Sequence, residues 1–517
     1  MSNNILAPVD AARLNKQGLA QPAELPGFTR LHKRRLNRSS DEEYSELPLT
    51  GLDGTSDAYV TVPRKLISLP TLLYLGLAEE VAQALWQKWE TWPATGPQRE
   101  LLSDDDDDDE DDGPSISRNN RWAGGLLVPF LDFVLGWVLP STAPDADFEH
   151  EDDEWNSCLD AYGLNEETKK AIMDPSFRCI RIADTCKNWA KDTIEMRWLG
   201  LNEIQKTSRL RLQDTDDTDD TAGTPVDSHS SRGGPSRHGS GPSRPVSNAT
   251  ASNTRQDKRR RLQSHSEIQR ESEPGISTQR WHKRSSRDAT EPPGYLVLYK
   301  GIAQSRMAGF WAVDEDADDE DSHTAGKHRV EKLLSSPPTN FSGTYPLFYF
   351  TPDPKVAEYY AGYAKRRHDA ETILIVTMKI KRDVLERLEA SDSDNNDNST
   401  TAGRVVRLYY PSPQWKQLVW RSKTVRPFPK PLRKYRDVLL IIGSASKGAE
   451  RVFNAMASWE EIGNECILHV PEDNPNPAIQ YVFNGNDSGA DFLRDNGIFD
   501  AFAVADDVLR AVRVQAE

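Results

Sequence analysis

Two stretches, Tyr295-Leu-Val-Leu-Tyr299 and Thr372-Ile-Leu-Ile-Val-Thr-Met-Lys-Ile380, decide the fold class of the second half of this 517-residue chain. Both are rich in β-branched and aromatic residues, which favour strands. Four further runs of this kind are Pro346 to Phe350, Arg404 to Tyr410, Asp437 to Ile442 and Ala478 to Phe483. Six strands can enclose a core, so we expect an α+β domain over residues 294–502.

Helical patterns separate these strand-forming runs. After Thr351, Asp353 can cap a helix that has Pro354 in its first turn. Its apolar positions, spaced three and four residues apart, predict a face that packs on the sheet. Tyr359 and Tyr363 lie on the adjacent face, where they either edge the core or line a cleft. Two more helices are predicted over Pro413 to Arg421 and Gly448 to Ile462.

The order of these motifs resembles that of ADP-ribosyltransferase-like domains. The motifs that carry the resemblance are Leu298-Tyr-Lys-Gly301, Phe348-Tyr-Phe-Thr351, Ala357-Glu-Tyr-Tyr-Ala361, Trp415-Lys-Gln-Leu-Val419, Asp437-Val-Leu-Leu-Ile-Ile-Gly443 and Gln480-Tyr-Val-Phe483. The domain that carries them, residues 294–502, is about two-fifths of the chain. The resemblance implies a mixed or antiparallel β core with helices around a cleft for NAD.

The resemblance also implies which residues would form the site. Those at the matching cofactor-binding positions are Lys300, Gly301, Thr351, Tyr360 and Tyr363, and the residue at the catalytic position is Gln480. The family's histidine and glutamate are thus replaced by a lysine and a glutamine. Cleavage of the nicotinamide–ribose bond develops positive charge that a carboxylate stabilises, whereas a neutral amide supplies no negative charge.

Two functions therefore follow from the resemblance. The first is a binding or interaction protein with a degenerate ADP-ribosyltransferase-like domain, and the second is an active NAD-dependent transferase with atypical catalytic residues. Each residue also has a structural alternative. Lys300 fits a solvent-facing strand end, Gly301 a tight strand exit, Thr351 a turn and Tyr360 core packing.

The first half of the chain reads as two helical regions. A short helical segment is expected over 57–103, with a helix from Leu72 to Trp92 that Pro93 ends. A tryptophan-rich helical region is expected over 121–212. It contains an apolar run from Leu126 to Leu139, read as a buried helix that is too short to span a membrane, and a helix capped by Asn165.

Other segments have the composition of disordered chain. They are 1–56, the acidic linker 104–120 and the charged linker 213–293, with a C-terminal helix or tail over 503–517. The insertions 314–321 and 390–403 read as surface loops. Basic clusters at 258–261 and 33–35 are candidate nuclear-import signals, so we expect a nuclear or cytoplasmic protein. A third function is a nuclear scaffold that acts through these charged segments.

Composition limits the classes of function. The mean hydropathy of -0.69 indicates that much of the chain is not part of a core. The net charge of -17 argues against the whole chain being a general binder of polyanions, although local basic stretches could still bind one. The four cysteines form no CxxC pair, and Cys179 and Cys186 are expected to be small core residues, so no metal site is predicted. Protein partners are expected, nucleic acid is left open, no membrane contact is predicted and the oligomeric state is undetermined.

Overall fold

The computed structural model describes residues 2–33, 59–93, 95–102, 127–147, 151–219, 292–311, 328–337, 339–393, 404–448 and 450–504. Several predicted features lie outside these residues. They are the acidic run at 104–112, most of the linker 213–293 with the basic cluster at 258–261, Arg34 and Arg35, the insertion 314–321, most of the insertion 390–403, and residues 505–517.

The described first half is mainly helical, with two small sheets. Its helices are α1 Pro8–Lys16, α2 Leu69–Tyr74, α3 Glu79–Glu90, α4 Phe130–Val138, α5 Asp152–Ala161, α6 Glu166–Ile172, α7 Arg178–Arg181 and α8 Cys186–Asp219. Its strands are β1 Ala20–Pro22, β2 Phe28–His32, β3 Tyr59–Pro63, β4 Gln98–Arg99 and β5 Leu127–Val128. The sheet β1-β2-β3 is antiparallel, and β4 pairs with β5 in parallel.

The second half is built from two sheets and five helices. Its strands are β6 Tyr295–Ala303, β7 Leu334–Ser335, β8 Leu347–Phe350, β9 Ile373–Lys381, β10 Val405–Leu408, β11 Leu440–Ser444, β12 Ile479–Asn484 and β13 Ile498–Ala503. Its helices are α9 Pro354–Arg367, α10 Arg382–Ser393, α11 Pro413–Lys423, α12 Glu450–Ala455 and α13 Asp487–Asn496. The chain as a whole is an α+β protein.

The two sheets of the second half meet at one point. One sheet has the order β10-β11-β12-β8-β7 and the other has the order β13-β9-β6. The first is mixed, since β10 runs parallel to β11 and its other pairs are antiparallel. A bridge between Tyr299 and Thr351 joins β6 to the end of β8. Apolar side chains of both sheets, including Leu298, Phe348 and Phe483, form the core between them.

Several expectations about local structure are met. All six predicted strands occur, and the Asp353 carboxylate accepts the Lys355 N–H at the start of α9. Asn165 caps α6 through the Thr168 N–H. Helix α4 is buried within the predicted apolar run, through four side chains that include Phe130 and Val134.

Other expectations were wrong in part. Residues 1–56 were expected to lack regular structure, yet α1, β1 and β2 form within 2–33 because Leu14, Leu19 and Leu31 join the core of the helical region. The helix expected from Leu72 to Trp92 is divided into α2 and α3, because Gly76 adopts a positive φ of 103° between them.

The two halves are packed against each other rather than only joined by a linker. Phe177 and Ile180 share an apolar cluster with Val356 and Tyr363 of α9. Met196 of α8 enters another cluster with residues of β6 and β9. We call this contact the seam, defined by α2 and α6 to α8 on one side and by the turn after β6 and α9 with the turn to Glu371 on the other.

Candidate functional site

Three of the predicted site residues lie where β6, β8 and β12 meet, and we call this place the strand-end site. Tyr299, next to Lys300, exchanges two backbone hydrogen bonds with Thr351, at 2.8 and 2.9 Å. Tyr481, next to Gln480, pairs with Phe350, which precedes Thr351. The sheet therefore brings Lys300, Thr351 and Gln480 onto adjacent strands, although they are far apart in the sequence.

Lys300 is a partly buried cation at this site. Its Nζ donates to Ser335 Oγ at 3.0 Å and to the Tyr349 carbonyl at 3.4 Å, and both acceptors are neutral. Loss of water, with the nearby Arg306 charge, lowers the pKa of Lys300 to about 8. No described carboxylate forms an ion pair with it. The third ammonium hydrogen is left without a partner among the described residues.

Gln480 is held in a polar network on the other side of the site. The side chain is buried, its amide nitrogen donates to the Ser444 carbonyl at 3.4 Å, and its amide hydrogen-bonds the amide of Asn340. The Asn340 amide also lies 2.6 Å from Ser446 Oγ. The glutamine therefore fastens the loop before β8 to the ends of β11 and β12.

Gly301 and Thr351 have mainly structural roles. A Cβ built at Gly301 would lie 2.6 Å from the Ala357 carbonyl oxygen and 2.9 Å from the Ala361 nitrogen, so this glycine permits the close approach of α9 to β6. Thr351 Oγ1 accepts the Asp353 N–H at 3.2 Å in the turn before α9. In the structure both residues make contacts within the fold.

Tyr360 and Tyr363, two of the three tyrosines of α9, contact the helical region instead of the strand-end site. Tyr363 is fully buried, its hydroxyl donates to the Ile172 carbonyl at 2.9 Å, and its ring packs edge-on against Trp189. Tyr360 packs on the apolar cluster that contains Phe177, and burial raises its pKa. The cleft position expected for Tyr363 is therefore a seam position.

The seam also contains buried ion pairs that the sequence did not indicate. Arg367 donates to Asp192 at 2.7 Å, and Arg306 reaches the other oxygen of the same carboxylate. Burial acts to raise the pKa of Asp192, but the two guanidinium groups outweigh it and lower that pKa to about 2. A basic run such as Lys365 to His368 at a helix end usually faces solvent, so its sequence gave no signal of burial.

A second cluster of titratable side chains in the seam surrounds a cavity of about 10 Å³, which is room for one water molecule. Tyr74 hydrogen-bonds His368 Nε2 at 2.8 Å, and Glu371 Oε2 lies 3.9 Å from His368 Nδ1. Glu371 Oε1 accepts the Ser305 N–H at 2.7 Å. Burial raises the pKa of Glu371 to about 7, and burial with the nearby arginines and lysine lowers that of His368 well below its ordinary range.

Other site types are limited by the described residues. Cys158, Cys179, Cys186 and Cys466 are free and buried, and no group of three histidine, cysteine or acidic side chains in the described ranges is arranged to hold a metal ion. Among the helices of these ranges, none combines the length and the apolar character needed to cross a membrane.

The strand-end site fits NAD only in part. The unpartnered Lys300 hydrogen suits a phosphate oxygen of such a ligand. Gln480 lacks the negative charge for ribose-bond cleavage, and Gly301 and Tyr363 are occupied by contacts within the fold. The site therefore has a group suited to the phosphates of a dinucleotide but lacks the carboxylate needed to cleave its nicotinamide–ribose bond. Comparison with protein-family models, with curated proteins and with solved structures finds no match for this chain.

Proposed function

We propose that this chain is an intracellular binding protein whose ADP-ribosyltransferase-like domain holds the anionic group of a ligand at Lys300 without cleaving it. The observation that carries this proposal is the partly buried Lys300 ammonium, which has two neutral acceptors and no described acidic partner. A desolvated charge without a counter-ion destabilises a fold. A ligand anion would restore the missing interaction.

The chemistry of the opposite side supports binding over catalysis. Gln480 occupies the position where the resembling family carries glutamate, and its amide is hydrogen-bonded to Asn340 and the Ser444 carbonyl. Moving it toward a ligand would break both contacts in a buried place, which costs about 1–3 kcal/mol for each polar group left unpaired. The absence of a carboxylate at this position therefore supports binding over catalysis.

The proposal is tested by thermal-shift titration of the full-length protein with ADP-ribose and, separately, with NAD. A ligand that binds only the folded state raises Tm by mass action, by an amount that grows with the logarithm of its concentration. We expect ADP-ribose to raise Tm and Lys300→Met to abolish the rise. Lys332→Met, at an exposed lysine of the same domain, is the matched control and should behave like the wild type.

Two results would count against the proposal. An equal Tm rise in Lys300→Met would place the ligand elsewhere, and no rise at millimolar ADP-ribose or NAD would remove this class of ligand. The alternative of an active transferase has its own readout, which is release of nicotinamide from labelled NAD. Release that disappears in Gln480→Ala would replace the binding proposal with a catalytic one.

A further inference from the structure

The segment from Arg404 to Arg436 is strongly basic in an acidic chain. Its 33 residues contain ten lysines and arginines and no aspartate or glutamate, although the whole chain has a net charge of -17. The ten cations are Arg404, Arg407, Lys416, Arg421, Lys423, Arg426, Lys430, Arg433, Lys434 and Arg436. In this fold seven of them belong to β10, α11 or the 3-10 turn Lys430–Tyr435 that leads toward β11, and Arg404, Arg426 and Arg436 lie in the chain next to these elements.

Most of these charges face solvent without neutralisation. Five side chains between α11 and β11 are exposed, namely Arg426, Lys430, Arg433, Lys434 and Arg436. Neither these nor Arg421 forms an ion pair with a described acidic residue, whereas Arg407 of the same segment contacts Glu389. We call Arg421, Arg426, Lys430, Arg433, Lys434 and Arg436 the basic surface. It concentrates positive charge where the fold does not need it.

Aromatic rings hold several of these cations in place. The Arg421 and Arg426 guanidinium carbons lie 4.8 and 5.8 Å from the centre of the Trp420 ring. Arg436 lies 5.3 Å from the centre of the Tyr345 ring, which is 52% exposed. Arginine on an aromatic face is partly ordered before a ligand arrives, so less conformational entropy is lost on binding.

We propose that the basic surface binds single-stranded nucleic acid. Unpaired arginines and lysines neutralise backbone phosphates, and the exposed Tyr345 ring is a platform on which a base can stack. Apart from Arg421, which lies near the end of α11, the residues of this surface belong to a 3-10 turn and irregular chain, so they do not form an exposed helix that could enter the major groove of a duplex. It shares no residue with the strand-end site and extends beyond the function proposed there.

The test uses the full-length protein and a fluorescein-labelled oligothymidylate, with binding followed by fluorescence anisotropy at several salt concentrations. The variant is Lys430→Glu/Arg433→Glu/Lys434→Glu, since these exposed side chains form no ion pair with a described residue. The matched control is Lys332→Glu/Lys355→Glu/Lys381→Glu, which changes the net charge equally at exposed lysines outside the surface.

We expect the surface variant to bind at least tenfold more weakly and the control to stay within about twofold of the wild type. Loss of three phosphate contacts should also reduce the slope of log K against log salt by about 2. Tyr345→Ala should weaken binding by about tenfold with little change in that slope, because stacking is not ionic. Should the triple variant lower Tm, Arg433→Glu and Lys434→Glu are measured singly and should each weaken binding.

Several results would overturn the proposal. Equal losses in the surface and control variants would show only a response to net charge. Stronger binding to a duplex of the same length would point to another nucleic-acid class. Stronger binding to vesicles of equal phosphatidylcholine and phosphatidylserine, or to poly-glutamate, would assign the surface to a lipid or an acidic protein. Binding that appears only after deletion of residues 103–126 would assign it to the chain's own acidic run.

Discussion

The seam and the strand-end site both place charged side chains away from water, but they treat those charges differently. In the seam, Arg306 and Arg367 share the Asp192 carboxylate, so each of these guanidinium groups has an acidic partner. At the strand-end site, Lys300 has only neutral acceptors among the described residues. A matched charge holds two parts of a protein together, whereas an unmatched one is available to a ligand. The difference separates a structural contact from a candidate binding site.

The largest expected effect comes from removing the shared carboxylate of the seam. Asp192→Asn keeps the side-chain shape but leaves two partly buried guanidinium groups without a counter-ion, so we expect a loss of about 3 kcal/mol in unfolding free energy. The folded-state pKa of Asp192, about 2, lies below the ordinary value of 3.8. The Asp192 carboxylate therefore stabilises the fold fully above pH about 4, and this contribution is lost as the pH falls toward 2.

Urea unfolding at several pH values checks this prediction. Asp383→Asn is the control, because Asp383 pairs with Arg387 on the exposed surface of α10 and such pairs contribute about 0–1 kcal/mol. If Asp192→Asn lowers the unfolding free energy no more than Asp383→Asn does, the ion pairs of the seam do not stabilise the contact between the two halves.

A smaller effect of opposite sign is expected at Glu371. Its folded-state pKa of about 7 lies above the ordinary value of 4.5, so folding favours the protonated form and stability falls as the pH rises from about 4.5 to 7. Glu371→Gln keeps an acceptor for the Ser305 N–H and removes the buried charge. We expect it to stabilise the protein by roughly 2 kcal/mol at pH 8 and to have little effect near pH 4.

Tm measured against pH for the wild type and Glu371→Gln gives the readout. Glu203 lines the same cavity, is less buried, and has a pKa that burial also raises, so Glu203→Gln should give a change in the same direction that is smaller. A Glu371→Gln variant that is less stable than the wild type at pH 8 would contradict this prediction. It would show that folding favours the charged carboxylate, which then has a compensating partner in the seam.

The smallest of these effects is expected at Lys300. Its folded-state pKa of about 8 lies below the ordinary 10.5, so the charge opposes folding below pH 8 and this effect is relieved as the pH rises toward 10.5. Lys300→Met, measured without ligand, should raise the unfolding free energy by roughly 1 kcal/mol at pH 7, since partial exposure screens the charge. The gain should shrink at pH 10, and a destabilised variant would show that Lys300 is a structural residue.

Local patterns predicted much of the second half. The β-branched runs placed all six expected strands, and Asp353 with Pro354 marked the start of α9. Strand β13 was missed, because Ile498-Phe-Asp-Ala-Phe-Ala503 directly follows α13 and pairs with β9 more than a hundred residues earlier in the chain. Such pairing is decided by tertiary packing and has no local signature.

The strands that carry the candidate site residues could be predicted from local patterns, but the contacts of those residues could not. The motif order placed Lys300, Thr351 and Gln480 on strands that the structure brings side by side. The seam could not be predicted, because Arg367 and Asp192 are 175 positions apart and charged residues are ordinarily exposed. Tyr363 illustrates this limit. The apolar periodicity of a helix predicts that a side chain is buried, but it does not predict which part of the chain packs against it.

The seam contacts named above join residues up to 219 to residues from 292 onward, and none of these named contacts involves a residue between 220 and 291. Cutting the polypeptide anywhere in that stretch would leave the Arg367–Asp192 pair, the Tyr363–Ile172 hydrogen bond and the shared apolar clusters unchanged. The halves are therefore suited to reassembly as separately produced fragments. Their association would then depend on concentration, so the strength of the seam becomes measurable as a dissociation constant.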